Sequence, residues 1–150
     1  MDLQHTQVLN AIPPAAIQDD APFVSNVIDT AEVSYLEFHA NLGAIDATAA
    51  VFKVVGSDTK TDATTLGGVP VDVHDVTTKP GATDADGVWI IGVDLAKLPR
   101  IPRFLQLQAT AGNGAAGTFL SATCVLRRSG NTGSEANQRG VNVAEYASAS

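Results

Sequence analysis

The feature that most constrains the fold of this chain is a series of six short segments in which apolar and polar residues alternate. Each segment has about the length of a strand, and clusters of Gly, Pro, Asp, Asn or Thr separate them. The segments are residues 33–42, 48–55, 69–76, 88–95, 104–110 and 118–127. Alternation leaves one face apolar and one face wet, which is typical of antiparallel sheets on a single core. The sequence therefore predicts an all-β sandwich or barrel.

Residues 88–93, with the sequence Val-Trp-Ile-Ile-Gly-Val, depart from this pattern because both of their faces are apolar. We expect either a central strand that is covered on both sides or a strand with one face against another subunit. Trp89 is the only tryptophan of the chain, and its large apolar ring suits a core as well as an interface. Trp89 is therefore a candidate partner-binding residue.

The chain of 150 residues has the length of one domain, and its composition divides it into three regions. These are an extended N-terminal arm over 1–22, a β-sandwich domain over 23–128 and a flexible C-terminal tail over 129–150.

The arm is predicted because Pro13, Pro14 and Pro22 oppose helix formation and no regular apolar period persists between them. Its scattered apolar residues suit contact with a neighbouring surface, while the alternative is a frayed terminus. The candidate contact residues are Leu3, Val8, Leu9 and Ile12. We expect removal of residues 1–20 to leave the fold intact.

The tail begins with residues 129–140, whose Ser, Gly, Asn and Thr content predicts a flexible linker. Residues 141–146 then alternate again and predict one docking strand, through which the tail could reach a neighbouring subunit. Val141, Val143 and Tyr146 are its candidate partner-binding residues.

The charge of the chain argues against binding to nucleic acid or to an anionic membrane. The formal net charge is −7 at pH 7, so the surface repels phosphate groups. No apolar run approaches the ~20 residues that span a bilayer, and no secretory signal is recognisable, so we expect synthesis in a cytoplasm. Arg100 and Arg103 flank Pro102, and we expect them to be solvated or to contact a partner.

Residues with catalytic or metal-binding chemistry are not grouped in the sequence. His5, His39 and His74 lack zinc-ligand spacing, and no Gly-x-Ser-x-Gly elbow occurs. The glycine-rich stretch 112–117 has no following Lys and predicts a hairpin loop between two strands. Cys124 lies in an apolar run and predicts a small buried side chain. We therefore expect no enzyme activity, no cofactor, no metal and no small-molecule substrate.

One alternative for metal binding stays open at this point. A weak calcium site would form if the two long polar loops met and gathered their carboxylates. Those carboxylates are Asp58, Asp62, Asp84 and Asp86.

Three short motifs follow one another along the chain: Ile28-Asp-Thr30, Asp46-Ala-Thr48 and Arg103-Phe-Leu105. Their order, with a glycine-rich turn before the last strand, resembles that of the head decoration (cement) proteins of tailed bacteriophages. The resemblance covers roughly residues 22–128. Gln106 departs from it, since relatives often carry a basic residue there, and the C-terminal extension is not explained by it.

The resemblance implies a jelly-roll-like β-sandwich that binds the outside of an icosahedral capsid, often as a homotrimer. Its partner would be the major capsid protein, its place the virion surface, and its role the stabilisation of contacts between capsid subunits, without catalysis. An alternative function is a phage tail or fibre β-sandwich module that binds a host surface glycan through its long loops.

Overall fold

A computed structural model of the protein describes residues 6–128, which form nine strands and two short 3-10 helices, Ala82–Asp84 and Leu95–Lys97. The strands are β1 (Thr6–Ile12), β2 (Pro22–Val24), β3 (Ile28–Asp29), β4 (Val33–Ile45), β5 (Val51–Ser57), β6 (Val71–Asp75), β7 (Val88–Asp94), β8 (Phe104–Thr110) and β9 (Thr118–Arg128). Each of the six predicted segments coincides with one of the strands β4 to β9. The all-β prediction is confirmed.

The strands are arranged in two antiparallel sheets. The first sheet has the order β1-β9-β4-β7, and the second has the order β2-β8-β5-β6. β2 and β3 pair with successive parts of β8, at Ala109 and Leu105 respectively, so they form one interrupted edge of the second sheet. The antiparallel β-sandwich predicted from the sequence is thereby confirmed.

The core lies between the two sheets and takes one face of each strand. In the first sheet, Leu36, Phe38 and Ala40 of β4 are fully inaccessible to solvent. Phe52 of β5 and Leu107 of β8 are equally buried on the facing sheet. Each such side chain contributes about 1.5–3 kcal/mol by leaving water, which makes this alternation the main determinant of the fold.

Trp89 faces inward from β7 and closes the core at the edge of the first sheet. Its ring meets that of Phe52 on the other sheet edge-on, with centroids 5.9 Å apart and planes at 80°. β7 is an edge strand, so the expectation of a central strand covered on both sides is wrong for the described residues. Its outward residues Val88 and Ile90 remain 59% and 58% exposed.

The predicted boundary at residue 22 is wrong, because residues 6–12 are the edge strand β1 rather than a free arm. β1 pairs with β9 from Thr6↔Arg127 onward. Ile12 is 5% exposed and Leu9 packs against the core, so both contact the protein's own sandwich. Removal of residues 1–20 would therefore delete a strand, contrary to the expectation of an intact fold.

A β-bulge explains why alternation did not reveal β1. The register with β9 shifts between Asn10 and Ile12, and the two neighbouring residues Ala11 and Ile12 are both buried. A bulge inserts one residue and so interrupts the period of two that identifies a strand. Val8 is half-buried on β1, and Leu3 lies outside the described residues.

Substitution of Ile12 tests whether the N-terminal segment belongs to the core. We expect Ile12→Ala to lower the free energy of unfolding by about 2–5 kcal/mol, because it leaves a cavity between the sheets. Urea unfolding measures the change.

Ile17→Ala is the matched control, since Ile17 is 41% exposed in the segment after β1. Its effect should stay within about 0.5 kcal/mol. Equal effects of the two variants would contradict the assignment of residues 6–12 to the sandwich.

Candidate partner-binding surface

Two of the sequence motifs meet in the structure and hold each other in place. Arg103 donates from Nε to Asp29 Oδ1 at 2.6 Å and from Nη2 to Asp29 Oδ2 at 2.8 Å. Thr30 Oγ1 donates to the carbonyl oxygen of Pro102 at 2.8 Å. The paired guanidinium lowers the pKa of the Asp29 carboxyl from its ordinary value. Arg103, a predicted partner-binding residue, is thus engaged with its own chain.

The charge on Asp29 should make this contact dependent on pH. Because the pKa of Asp29 is lowered from 3.8, the ion pair stabilises the fold above that pH and loses its effect as pH falls through the folded-state pKa. Asp29→Asn should therefore cost at most ~1 kcal/mol near neutral pH, since both partners are about half exposed. Urea unfolding of both proteins from about pH 7 to pH 2 measures the difference.

The expected difference between the two proteins shrinks below about pH 4. A difference of constant size down to pH 2 would show that the charge is not its cause. Asp75→Asn supplies a control for a carboxylate elsewhere on the surface, since Asp75 lies on β6 and pairs with Lys79.

The remaining motif, Asp46-Ala-Thr48, holds the glycine-rich connection in place. Asp46 Oδ2 accepts hydrogen bonds from the backbone N–H groups of Ala116 and Gly117, and these lower the pKa of its carboxyl. A Cβ at Gly114 would overlap the Asp46 carboxylate, so a larger residue there would displace that carboxylate from its hydrogen bonds. Because β8 and β9 lie in different sheets, the connection 112–117 crosses the sandwich, and the prediction of a hairpin loop is wrong.

The long polar loop after β5 lies over the outer face of the second sheet. Gln106 is 2% exposed and donates from Nε2 to the carbonyl oxygens of Ser25 at 2.9 Å and Thr64 at 2.6 Å. The backbone N–H of Val27 donates to the carbonyl oxygen of Ala63 at 2.7 Å. A buried amide that binds backbone groups gives the loop a defined position. This role of Gln106 was not predicted from the sequence.

Removal of the Gln106 amide should release the loop. Gln106→Ala deletes the hydrogen bond from Nε2 to Thr64 in the loop and the one to Ser25 beside it, and we expect a loss of about 1–3 kcal/mol in the free energy of unfolding. Amide hydrogen exchange in residues 61–66 should become faster, which mass spectrometry of peptides measures.

Gln108→Ala is the control, because Gln108 is half-buried on the same face of β8 and donates only to the side chain of Gln106. It should leave exchange in the loop nearly unchanged. If both variants released the loop equally, Gln106 would not be its anchor.

The fixed loop forms one wall of an open cleft of about 280 Å³. Residues that line the cleft include Ser57, Asp58, Thr59, Val69, Arg100 and Pro102. Arg100 Nη2 donates to Asp58 Oδ2 across this cleft, so the two charges neutralise each other. Arg100, predicted from the sequence to be solvated or to contact a partner, therefore lies at a concave surface with its charge balanced.

Three exposed apolar residues belong to the chain segments that line this cleft, and we name them the cleft rim: Val69, Val71 and Ile101. They are 89%, 57% and 52% exposed. Val69 and Val71 line the cleft, and Ile101 lies between its lining residues Arg100 and Pro102. Large apolar residues exposed together on one surface mark a site of protein contact more often than a site for a polar ligand.

The sequence pattern placed Val69 and Val71 on the same face as Val73 in one alternating strand. In the structure β6 begins at Val71 and is an edge strand, and of these three valines only Val73 packs against the core. The cleft rim was thus missed. Two features of the sequence could have indicated that these residues are exposed: Pro70 lies between the two valines, and Ile101 is isolated among polar and proline residues.

The other predicted partner-binding residues that the structure describes do not line this cleft. Val8, Leu9 and Ile12 belong to β1 of the first sheet, and Trp89 faces the core. Val141, Val143 and Tyr146 lie outside the described residues, as does Leu3.

The residues considered from the sequence as metal ligands or as a reactive thiol are not gathered into a metal site in the described region. Within residues 6–128, no three His, Cys, Asp or Glu side chains are placed to hold a metal ion together. Asp62 accepts from the backbone N–H of Thr64, and Asp84 accepts from that of Gly81, so each closes its own turn. Cys124 is buried, as predicted, and burial raises the pKa of its thiol.

The chain matches no protein-family model and no curated protein sequence. Neither of the two short helices between residues 6 and 128 is long and apolar enough to cross a membrane.

Proposed function

We propose that this protein is a structural virion protein that binds the outer surface of a phage capsid and stabilises contacts between major capsid subunits, acting as a homotrimer. The motifs that resemble decoration proteins first suggested this function. In the structure the side chains of these motifs hold neighbouring segments of the chain in place, which supports a rigid domain with a mechanical role.

The connectivity of the sandwich supports the proposal. If β2 and β3 are counted as one interrupted strand, each sheet has four strands, in the orders β1-β9-β4-β7 and β2-β8-β5-β6, and this order supports the jelly-roll-like arrangement proposed here. Jelly rolls occur in many virion proteins but also in lectins and enzymes, so the fold alone does not assign a function.

The observation that carries the proposal is the cleft rim. Val69, Val71 and Ile101 are held on a surface whose loop is anchored by Gln106 and whose nearby charges, Arg100 and Asp58, are already paired. Burial of each apolar side chain on a partner is worth about 1.5–3 kcal/mol before ordering costs. Attachment of several linked copies at once would multiply a modest affinity by avidity.

Binding to capsids tests the proposal directly. The purified protein is mixed with undecorated heads of the virus whose genome carries this sequence, and bound copies are counted after sedimentation. We expect saturable binding, and we expect Val69→Asp to weaken it at least about tenfold, because a carboxylate would be buried against the capsid protein.

Val24→Asp is the matched control, because Val24 is 40% exposed on β2 at the opposite edge of the same sheet. It should bind like the unaltered protein. Light scattering of the free protein measures whether it is a trimer, with an expected mass of about 46 kDa from three chains of 15.5 kDa. Absence of binding to heads, together with binding to a host glycan array, would replace this proposal by the tail-module alternative.

A further inference from the structure

Three of the four sheet edges in the described region carry features that hinder pairing with another strand. β1 contains the bulge near Ile12, and the edge formed by β2 and β3 is interrupted and begins with Pro22. β6 has a register shift against β5 and carries Asp72, His74 and Asp75. Bulges, prolines, short strands and charges are the ordinary means by which proteins protect an open edge.

The fourth edge, β7, has none of these features before its last residue, Asp94. It pairs with β4 over seven consecutive residues without a register shift, and residues 88–93 contain neither charge nor proline. Within residues 6–128 no other strand pairs with it. A long, regular and apolar edge of this kind is a ready template for one more strand. The side chains of Val88 and Ile90, on the outer face of β7, are more than half exposed to solvent.

We infer that residues 141–146 of the same chain dock on β7 as an additional antiparallel strand of the first sheet. The occupant is this segment because it combines strand-like alternation with apolar side chains, Val141, Val143 and Tyr146, and a single charge. The inference does not depend on whether the protein binds a capsid.

The position at which the described chain ends favours this docking. Arg127 of β9 and Asp94 of β7 both pair with Tyr35 of β4, so the chain leaves the sheet at the end where β7 also ends. A segment that returns from this end along β7 runs antiparallel to it. The path crosses three strand spacings, about 14 Å. The twelve residues 129–140 span about 20 Å on average for a flexible chain, so they suffice.

The register that we propose places the apolar residues of the segment on suitable faces of the added strand. With Val143 opposite Ile91, the valine would extend the core side of the sheet, where Ile91 is 5% exposed. The same register places Tyr146 opposite Val88 on the outer side, and pairs of an aromatic and a β-branched residue stabilise antiparallel strands. A slip of one residue would exchange the two faces of the segment.

A disulfide between neighbouring strands tests the register in the full-length chain. Ala144 lies opposite Ile90 in this register, so Ile90→Cys with Ala144→Cys should form a disulfide within one chain under mild oxidation. Cys124 does not compete, since it is buried and burial raises the pKa of its thiol. Peptide mass spectrometry and non-reducing electrophoresis identify the bond.

Val71→Cys with Ala144→Cys is the matched control, because Val71 is 57% exposed on the β6 edge. We expect the 90–144 disulfide to form at least about tenfold faster than the 71–144 disulfide. Equal rates would overturn the inference. A 90–144 disulfide found only between two chains would overturn docking within one chain and show exchange of the segment between copies.

A second measurement avoids engineered cysteines. In the full-length protein, Val143→Asp should accelerate amide hydrogen exchange in residues 88–94 several-fold, because the added strand would detach. Exchange in residues 71–75 of β6 should not change. Unaltered exchange in residues 88–94 would overturn the inference, whatever the outcome of the disulfide test.

Discussion

The burial of one face of every long strand between two sheets is the constraint on which the rest of this structure depends. Phe38 on one sheet and Phe52 on the other are inaccessible to solvent, and each position along β4 and β5 is thereby fixed as inward or outward. Because a shift of one residue would turn polar side chains such as Glu37 into the core, the register of the central strands is strongly determined. Loops and edges are then positioned by this rigid centre.

Polar contacts within the protein decide where the connections lie. Asp29 with Arg103 ties β3 to the start of β8, and Asp46 holds the connection that crosses between the sheets. Gln106 anchors the longest polar loop from beneath. Each of these side chains satisfies backbone or charged groups that would otherwise be left without partners near the core. The short motifs of this chain therefore serve to position its loops, and a binding surface has to be sought elsewhere on the protein.

Six strands and the sandwich could be predicted from alternation alone, whereas β1 could not, because its bulge places Ala11 and Ile12 side by side in the core. β2 and β3 are too short to show a period. The cleft with Arg100 is formed by segments far apart in sequence, and no local pattern reports such proximity. Alternation placed Val69 and Val71 on the apolar face of a strand. Their exposure to solvent follows from the position of β6 at the edge of the sheet, which only the strand order reveals. The inward orientation of the Trp89 side chain could likewise be predicted only with knowledge of the facing sheet.

The pairing of Thr6 with Arg127 has a consequence for how the molecule could be joined to others. The described chain enters and leaves the sandwich on adjacent strands at one end of the first sheet. Closely spaced ends tolerate circular permutation, so a short peptide could connect residues 6 and 128 while a new opening is made at the exposed residues 77–78.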